Sequence, residues 1–217
     1  MPFSDLISAV QNIIQDDFFT EEMIGTYLNQ AQLEVAGGMQ SALGDWITPP
    51  LPGLLTIGTV TTVLATPYLS MPTDFQRNLQ LVASSEGYEL ILAESFNSFT
   101  STYPNLDRIG TISECIEFGN LLYYQGIPTV ATDLTIHYYR LPVEMEDDED
   151  EPDGIPIQLQ RSLLLNHACW RIFELIEDGI EGVGVNTQRY MNSFYLALKN
   201  LELTIPYENK IVNLLSD

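Results

Sequence analysis

A chain of 217 residues, 45% of them hydrophobic and with a mean hydropathy of +0.03, can bury a core of its own and is neither polar enough for disorder nor apolar enough for a membrane protein. Eight Lys and Arg stand against thirty Asp and Glu, a formal charge of -22. That balance excludes a protein that grips a nucleic-acid backbone or an anionic membrane, because both tasks need a basic surface.

The distribution of charge sharpens the point. No Lys or Arg precedes Arg77 and the later ones are scattered singly, so no basic patch is hidden in the acidic average. Met1-Pro2-Phe3-Ser4-Asp5 lacks the positive segment of a secretory signal, and the chain reads as cytosolic. The uncharged stretch from Trp46 to Thr73 is broken by Pro49, Pro50, Pro52, Pro67 and Pro72, and reads as loop plus strand rather than a membrane span. Cys115 and Cys169 show no CxxC spacing and are expected to be buried small hydrophobes.

In chain order, Leu6, Ile7, Val10, Ile13 and Ile14 recur at helical spacing and predict a helix over 5–16, with Ser4 as its cap. Thr20 caps a second helix over 21–43, whose apolar face carries Ile24, Leu28, Ala31 and Val35; Gly37-Gly38 predicts a kink or fray within it. Pro-Pro-Leu-Pro-Gly at 49–53 makes an extended linker. From 54 to 140 the chain turns to short runs rich in Val, Ile, Thr, Tyr and Phe, an antiparallel β insertion. Gly119-Asn120 separates two such runs at hairpin spacing. Leu134, Ile136 and Tyr138 alternate with a more polar Thr135, His137 and Tyr139. Residues 94–103 form a short helix. Pro156 opens a helix over 157–178 that is apolar almost all round and therefore central. A glycine-rich turn then leads to a helix over 187–203 capped by Asn186. The fold class is α+β: a bundle of two N-terminal and two C-terminal helices with an inserted antiparallel β region and an extended C-terminal tail over 204–217.

Enzyme chemistry is sparse. His137 and His167 stand in no zincin or nucleophile-elbow motif; His167 reads as a packed, hydrogen-bonded core residue, and His137 as meeting a neighbouring element. Gly179, Gly182 and Gly184 follow a helix rather than a strand, so they make a turn and not a phosphate loop. No catalytic residue, cofactor or metal site is expected. The densest feature is the run from Glu144 to Asp153, with Glu146, Asp147, Asp148, Glu149, Asp150 and Glu151 at its centre. A calcium loop begun at Glu149 would have Gly154 in place but Gln160 where a bidentate Glu belongs, so the run is no high-affinity calcium loop; weak divalent binding stays open beside the expected reading, a solvated acidic loop.

The order of elements carries a resemblance. Two N-terminal helices lead to Met71-Pro72-Thr73-Asp74-Phe75, then to the Gly119-Asn120 hairpin. Ile136-His137-Tyr138-Tyr139-Arg140-Leu141-Pro142, the acidic loop and two C-terminal helices follow. This resembles the head-to-tail connector adaptors of tailed bacteriophages, the head-completion proteins that bind beneath the portal. The resemblance implies a structural virion protein of the neck, not an enzyme, assembled in the host cytoplasm as a dodecameric ring between the portal and the tail or the next neck protein. It implies that terminal segments grip the portal, which assigns that task to Tyr207, Ile211, Val212, Leu214 and Leu215. Burying those aliphatic side chains would gain about 1.5–3 kcal/mol each. Ordering the tail costs about 1–2 kcal/mol per residue, so one tail binds weakly and a ring of tails holds by avidity. DNA passes through such a ring without specific binding, and carboxylates of the acidic loop facing the lumen would keep it from sticking. Two rivals differ in class. A cell-wall-degrading neck enzyme would lose peptidoglycan hydrolysis on a single carboxylate substitution. An acidic DNA mimic would capture a basic host protein and stay monomeric.

Overall fold

The computed structural model describes residues 1–37, 50–178 and 184–205, apart from the side chains of Arg77 and Asn78. The chain is α+β, as its sequence predicts. It divides into two compact units, one formed by Met1–Leu54 with Leu141–Asp217 and the other by Leu55–Arg140.

The first unit contains α1 (Phe3–Ile14), α2 (Glu21–Gly37), α4 (Ile157–Ile176) and α5 (Val185–Thr204). Helix α4 is buried on most sides, through Leu163, Leu164, Ala168, Ile172 and Phe173. It packs on α1, α2 and α5, while α1 and α2 also pack on each other. Its central position follows from its composition, since an all-round apolar helix is stable only where every face is covered.

Helix ends differ from those predicted, each for a local reason. Helix α1 starts at Phe3 and Ser4 is not its cap. Pro2 is, without a side-chain bond, and the free amides of Phe3 and Ser4 donate to the carbonyls of Asp150 (2.8 Å) and Asp148 (3.2 Å). It ends at Ile14 because Gln15 turns left-handed at φ 51°. Thr20 caps α2 as expected, its Oγ1 accepting from Met23 N at 3.3 Å. The predicted continuation of α2 to residue 43 and its Gly37-Gly38 kink extend outside the described residues. Asn186 does not cap α5. Glu177, just past α4, takes that role: its carboxylate accepts from the backbone N–H of Asn186 (3.1 Å) and Thr187 (3.0 Å) and from Thr187 Oγ1 (2.7 Å). Those bonds, the Thr187 amide foremost, hold its carboxyl below the usual range. Gly184 makes room for this cap, because a Cβ there would collide with Glu177 Oε2.

The second unit is built on two sheets. Strands β1 (Leu55–Thr61), β7 (Asp133–Arg140) and β3 (Phe75–Ser84) form one, in the order β1-β7-β3 and antiparallel. Strands β2 (Tyr68–Ser70), β6 (Leu121–Tyr124), β5 (Glu114–Phe118) and β4 (Ile91–Leu92) form the other, antiparallel except for β4 and β5. Leu69, Val82, Cys115, Leu122, Tyr124 and Ile136 contribute to one core, and Cys169 is likewise buried with a free thiol in the first unit. Gly119-Asn120 joins β5 to β6, with Gly119 at φ +64° as a tight hairpin requires. Helix α3 (Phe96–Thr102) is capped by Ser95 and packs on β5. His137 stands between Ile57 and Leu81 in register across three strands. Tyr139, expected on a polar face, is 3% exposed, so that face of β7 is not uniformly polar.

The two short motifs behind the resemblance meet in space. Asp74 accepts from Tyr138 Oη at 2.8 Å, Phe75 pairs with Arg140 in register, and the rings of Phe75 and Tyr138 lie 5.7 Å apart. Burial, with Asp74 beside it, pushes the Tyr138 hydroxyl up to about 12. Asp74→Ala is expected to destabilise this unit by about 1.5–3 kcal/mol, the range for a hydrogen bond to a charged group, read as a shift of its thermal transition. Asp74→Asn, which keeps an acceptor, should lose less.

Candidate functional site

The acidic run lies in the first unit and is held in a defined conformation. Its two stems are clasped by α2. Gln32, 1% exposed, donates from Nε2 to Val143 O (2.7 Å) and accepts at Oε1 from Asp153 N (2.8 Å), so one side chain holds both ends of the loop. Asn29, three residues earlier on the same face, makes the same double bond to the backbone of Met145, 2.9 Å to its carbonyl and 3.0 Å from its amide. Gln160 on α4 donates to Pro152 O and Ile155 O, both at 3.3 Å. Between these fixings Met145 is buried at 2% exposure and anchors the loop by burial of its side chain.

Within the loop the chain caps itself. Asp150 Oδ2 accepts from the backbone N–H of Glu146 (2.8 Å) and Asp147 (2.9 Å), and those bonds, Asp147 first, hold its carboxyl below the ordinary range. Asp153 Oδ2 accepts from Val143 N at 3.0 Å. The carbonyls of Asp148 and Asp150 end on α1, as described, so the positive end of that helix faces the loop and favours its charge. Glu146, Asp147, Asp148 and Glu149 are exposed, and Glu151 meets the α-ammonium of Met1 at 3.1 Å. The six acidic residues singled out from the sequence thus share one ordered loop. Neither Asn29 nor Gln32 stands out in the sequence, and Gln160 does so only as a misfit to a calcium loop; the signal of Gln32 and Gln160 is their place on buried faces, one turn beyond Leu28 and one turn before Leu164. Tyr207, Ile211, Val212, Leu214 and Leu215 lie outside the described residues.

Apart from the Met1 α-ammonium at Glu151, the side chains that clasp the loop are amides, and that has an electrostatic consequence. A loop tied down by Lys or Arg would be ordered at the expense of its field, whereas amide clasps fix the backbone and leave the carboxylates charged. An apolar groove of about 310 Å³ runs beside the loop, lined by Thr26, Leu33, Pro142 and Glu144 among others.

A second polar cluster lies deeper. His167 is fully buried and its Nε2 donates to Glu34 Oε2 at 2.7 Å, while Arg171 Nη2 is 3.6 Å from the same oxygen. The imidazole packs edge-on against Trp170 (5.5 Å) and Phe194 (5.0 Å). The His167 hydrogen bond is the chief reason that the Glu34 carboxyl is lowered to about 2. This is the packed, bonded histidine that the sequence predicts, and it ties α2, α4 and α5 together. Among the described residues no three metal-ligating side chains converge, and no helix is long and apolar enough to cross a membrane.

The described residues thus form a bundle organised around one buried helix, a β unit and a clasped anionic loop. The SU10 adaptor protein family profile matches residues 1–208, and the chain belongs to that family of phage head-to-tail adaptors. The family is a structural one rather than a class of enzymes, which gives the protein a place in the virion and a role in the neck between head and tail. No curated protein matches the chain significantly.

Proposed function

We propose that the protein forms a dodecameric ring beneath the portal, joins the capsid to the tail or the next neck protein, completes the head after DNA packaging and lines the conduit through which DNA leaves. The observation that carries this reading is the acidic loop, built to stay in one conformation by Asn29, Gln32 and Gln160 and to keep its charge. A wall of fixed carboxylates facing the lumen repels phosphates, so DNA slides rather than binds. The tail from Tyr207 to Asp217 grips the portal through Tyr207, Ile211, Val212, Leu214 and Leu215, each weakly, and the ring multiplies the effect.

Size-exclusion chromatography with light scattering tests this on the chain alone and with its cognate portal. Ring assembly with the portal that deletion of Tyr207–Asp217 abolishes is the expected result. A monomer that ignores the portal with and without the tail would overturn the reading.

A further inference from the structure

We infer that copies of this chain associate head to tail through two different surfaces of the helical unit: the outward stripe of α5 on one copy, and the α1–α2 turn on the next. The inference rests on the ring reading and names its contact.

The stripe consists of Val185, Arg189, Asn192, Leu196, Lys199 and Leu203, which recur every three or four residues and are all exposed. Val185 is 81%, Leu196 63% and Leu203 84% exposed. A solvent face on a helix is normally polar, and three large aliphatic side chains in one line on it are not. Its charge is also out of character. In a chain of -22, α5 contains one acidic residue, Glu202, and the stripe holds two of the eight basic residues. Among the described residues neither Arg189 nor Lys199 has an ion-pair partner; Arg189 lies over the ring of Tyr190 at 5.6 Å.

Two copies so negatively charged repel over most of their surfaces, so contact is favoured where one presents an uncharged or basic face. The complementary surface is the α1–α2 turn. Asp16, Asp17, Glu21 and Glu22 are exposed there, Phe18 stands 71% exposed beside them, and the last turn of α1 has no basic residue to offset its negative end. Apolar side chains flanked by cations on one surface thus match an aromatic flanked by carboxylates on the other. Helix α5 packs chiefly on α4, and α1 and α2 on each other and on α4, so the two surfaces are separate. Contact between unlike surfaces is heterologous, the type that closes into rings.

Light scattering on the full-length chain at low salt, alone and with the portal, tests the contact. Arg189→Glu with Lys199→Glu is expected to weaken self-association roughly tenfold, Asp17→Lys with Glu21→Lys to do the same, and all four together to restore it. Mixing the two double variants should also restore it, since each offers the face the other lacks. Leu203→Ser, read the same way, tests the apolar half at a site too exposed to disturb folding, with circular dichroism as the check. Self-association indifferent to the double variants and to Leu203→Ser overturns this contact and leaves the ring intact. A double variant that loses only portal binding overturns it too, by giving the stripe to the portal. Sensitivity that appears only after deletion of Tyr207–Asp217 gives the stripe to the chain's own tail, again against the inference. A chain monomeric in every condition overturns both this contact and the ring.

Discussion

Replacing His167 with alanine is expected to destabilise the helical unit by about 3 kcal/mol, among the largest effects of any single change here. Two costs combine. The ring is fully buried against Trp170 and Phe194, so truncation opens a cavity at the junction of α4 and α5. It also removes the bond to Glu34 Oε2, leaving that carboxylate with Gln30 Nε2 at 2.8 Å on its other oxygen and Arg171 at 3.6 Å. Urea unfolding followed by tryptophan fluorescence reads the loss, because Trp170 adjoins the site. Glu34→Gln should cost less, about 1 kcal/mol, since Glu34 is partly exposed and water screens its charge. The pH dependence follows from direction. A carboxyl lowered from 4.5 to about 2 contributes its full stabilisation above about pH 4.5 and loses it as the pH falls toward 2. The stability gap between the native chain and His167→Ala should therefore narrow across that window. A gap that stays constant would show that packing alone sets the cost.

Gln32→Ala is the second large change, and its effect reaches the proposed function. Both bonds of Gln32 end on backbone groups at the loop stems, Val143 O and Asp153 N, and a partly buried group deprived of its partner costs about 1–3 kcal/mol. The helices should persist while amide hydrogen exchange quickens from residue 143 to residue 153, by about tenfold for each 1.4 kcal/mol lost. Gln32→Glu makes a sharper comparison: it keeps the acceptor for Asp153 N but replaces the donor with an anion facing Val143 O. Exchange in the loop unchanged by either substitution would mean that Asn29, Gln160 and Met145 hold it unaided.

Helical periodicity made α1, α2, α4 and α5 legible, and all-round apolarity made α4 central, because both signals reflect what a helix must bury. Short motifs were legible as well: Gly119-Asn120 lies at a two-residue hairpin, and Thr20 caps where expected. Caps supplied from far along the chain were not. Ser4 and Asn186 have capping chemistry but fall inside their helices; the N-terminus of α1 is finished by carbonyls more than a hundred residues away, and that of α5 by the Glu177 carboxylate just past α4. The acidic run was legible as charge but not as structure. Its order depends on Asn29 and Gln32, whose distance in sequence from the loop hides them and whose amides look like surface residues until Leu28 and Val35 mark their face as buried. The loop's direction depends on neighbouring copies, to which a single chain gives no geometry.

Electron cryo-microscopy of the chain assembled on its portal tests the central claim most directly. The account predicts a closed ring with residues 144–153 of every copy turned toward the channel, in the clasped conformation set by Asn29 and Gln32. A ring that carries this loop on its outer surface would contradict the anionic conduit, and the absence of any ring on the portal would contradict the account as a whole.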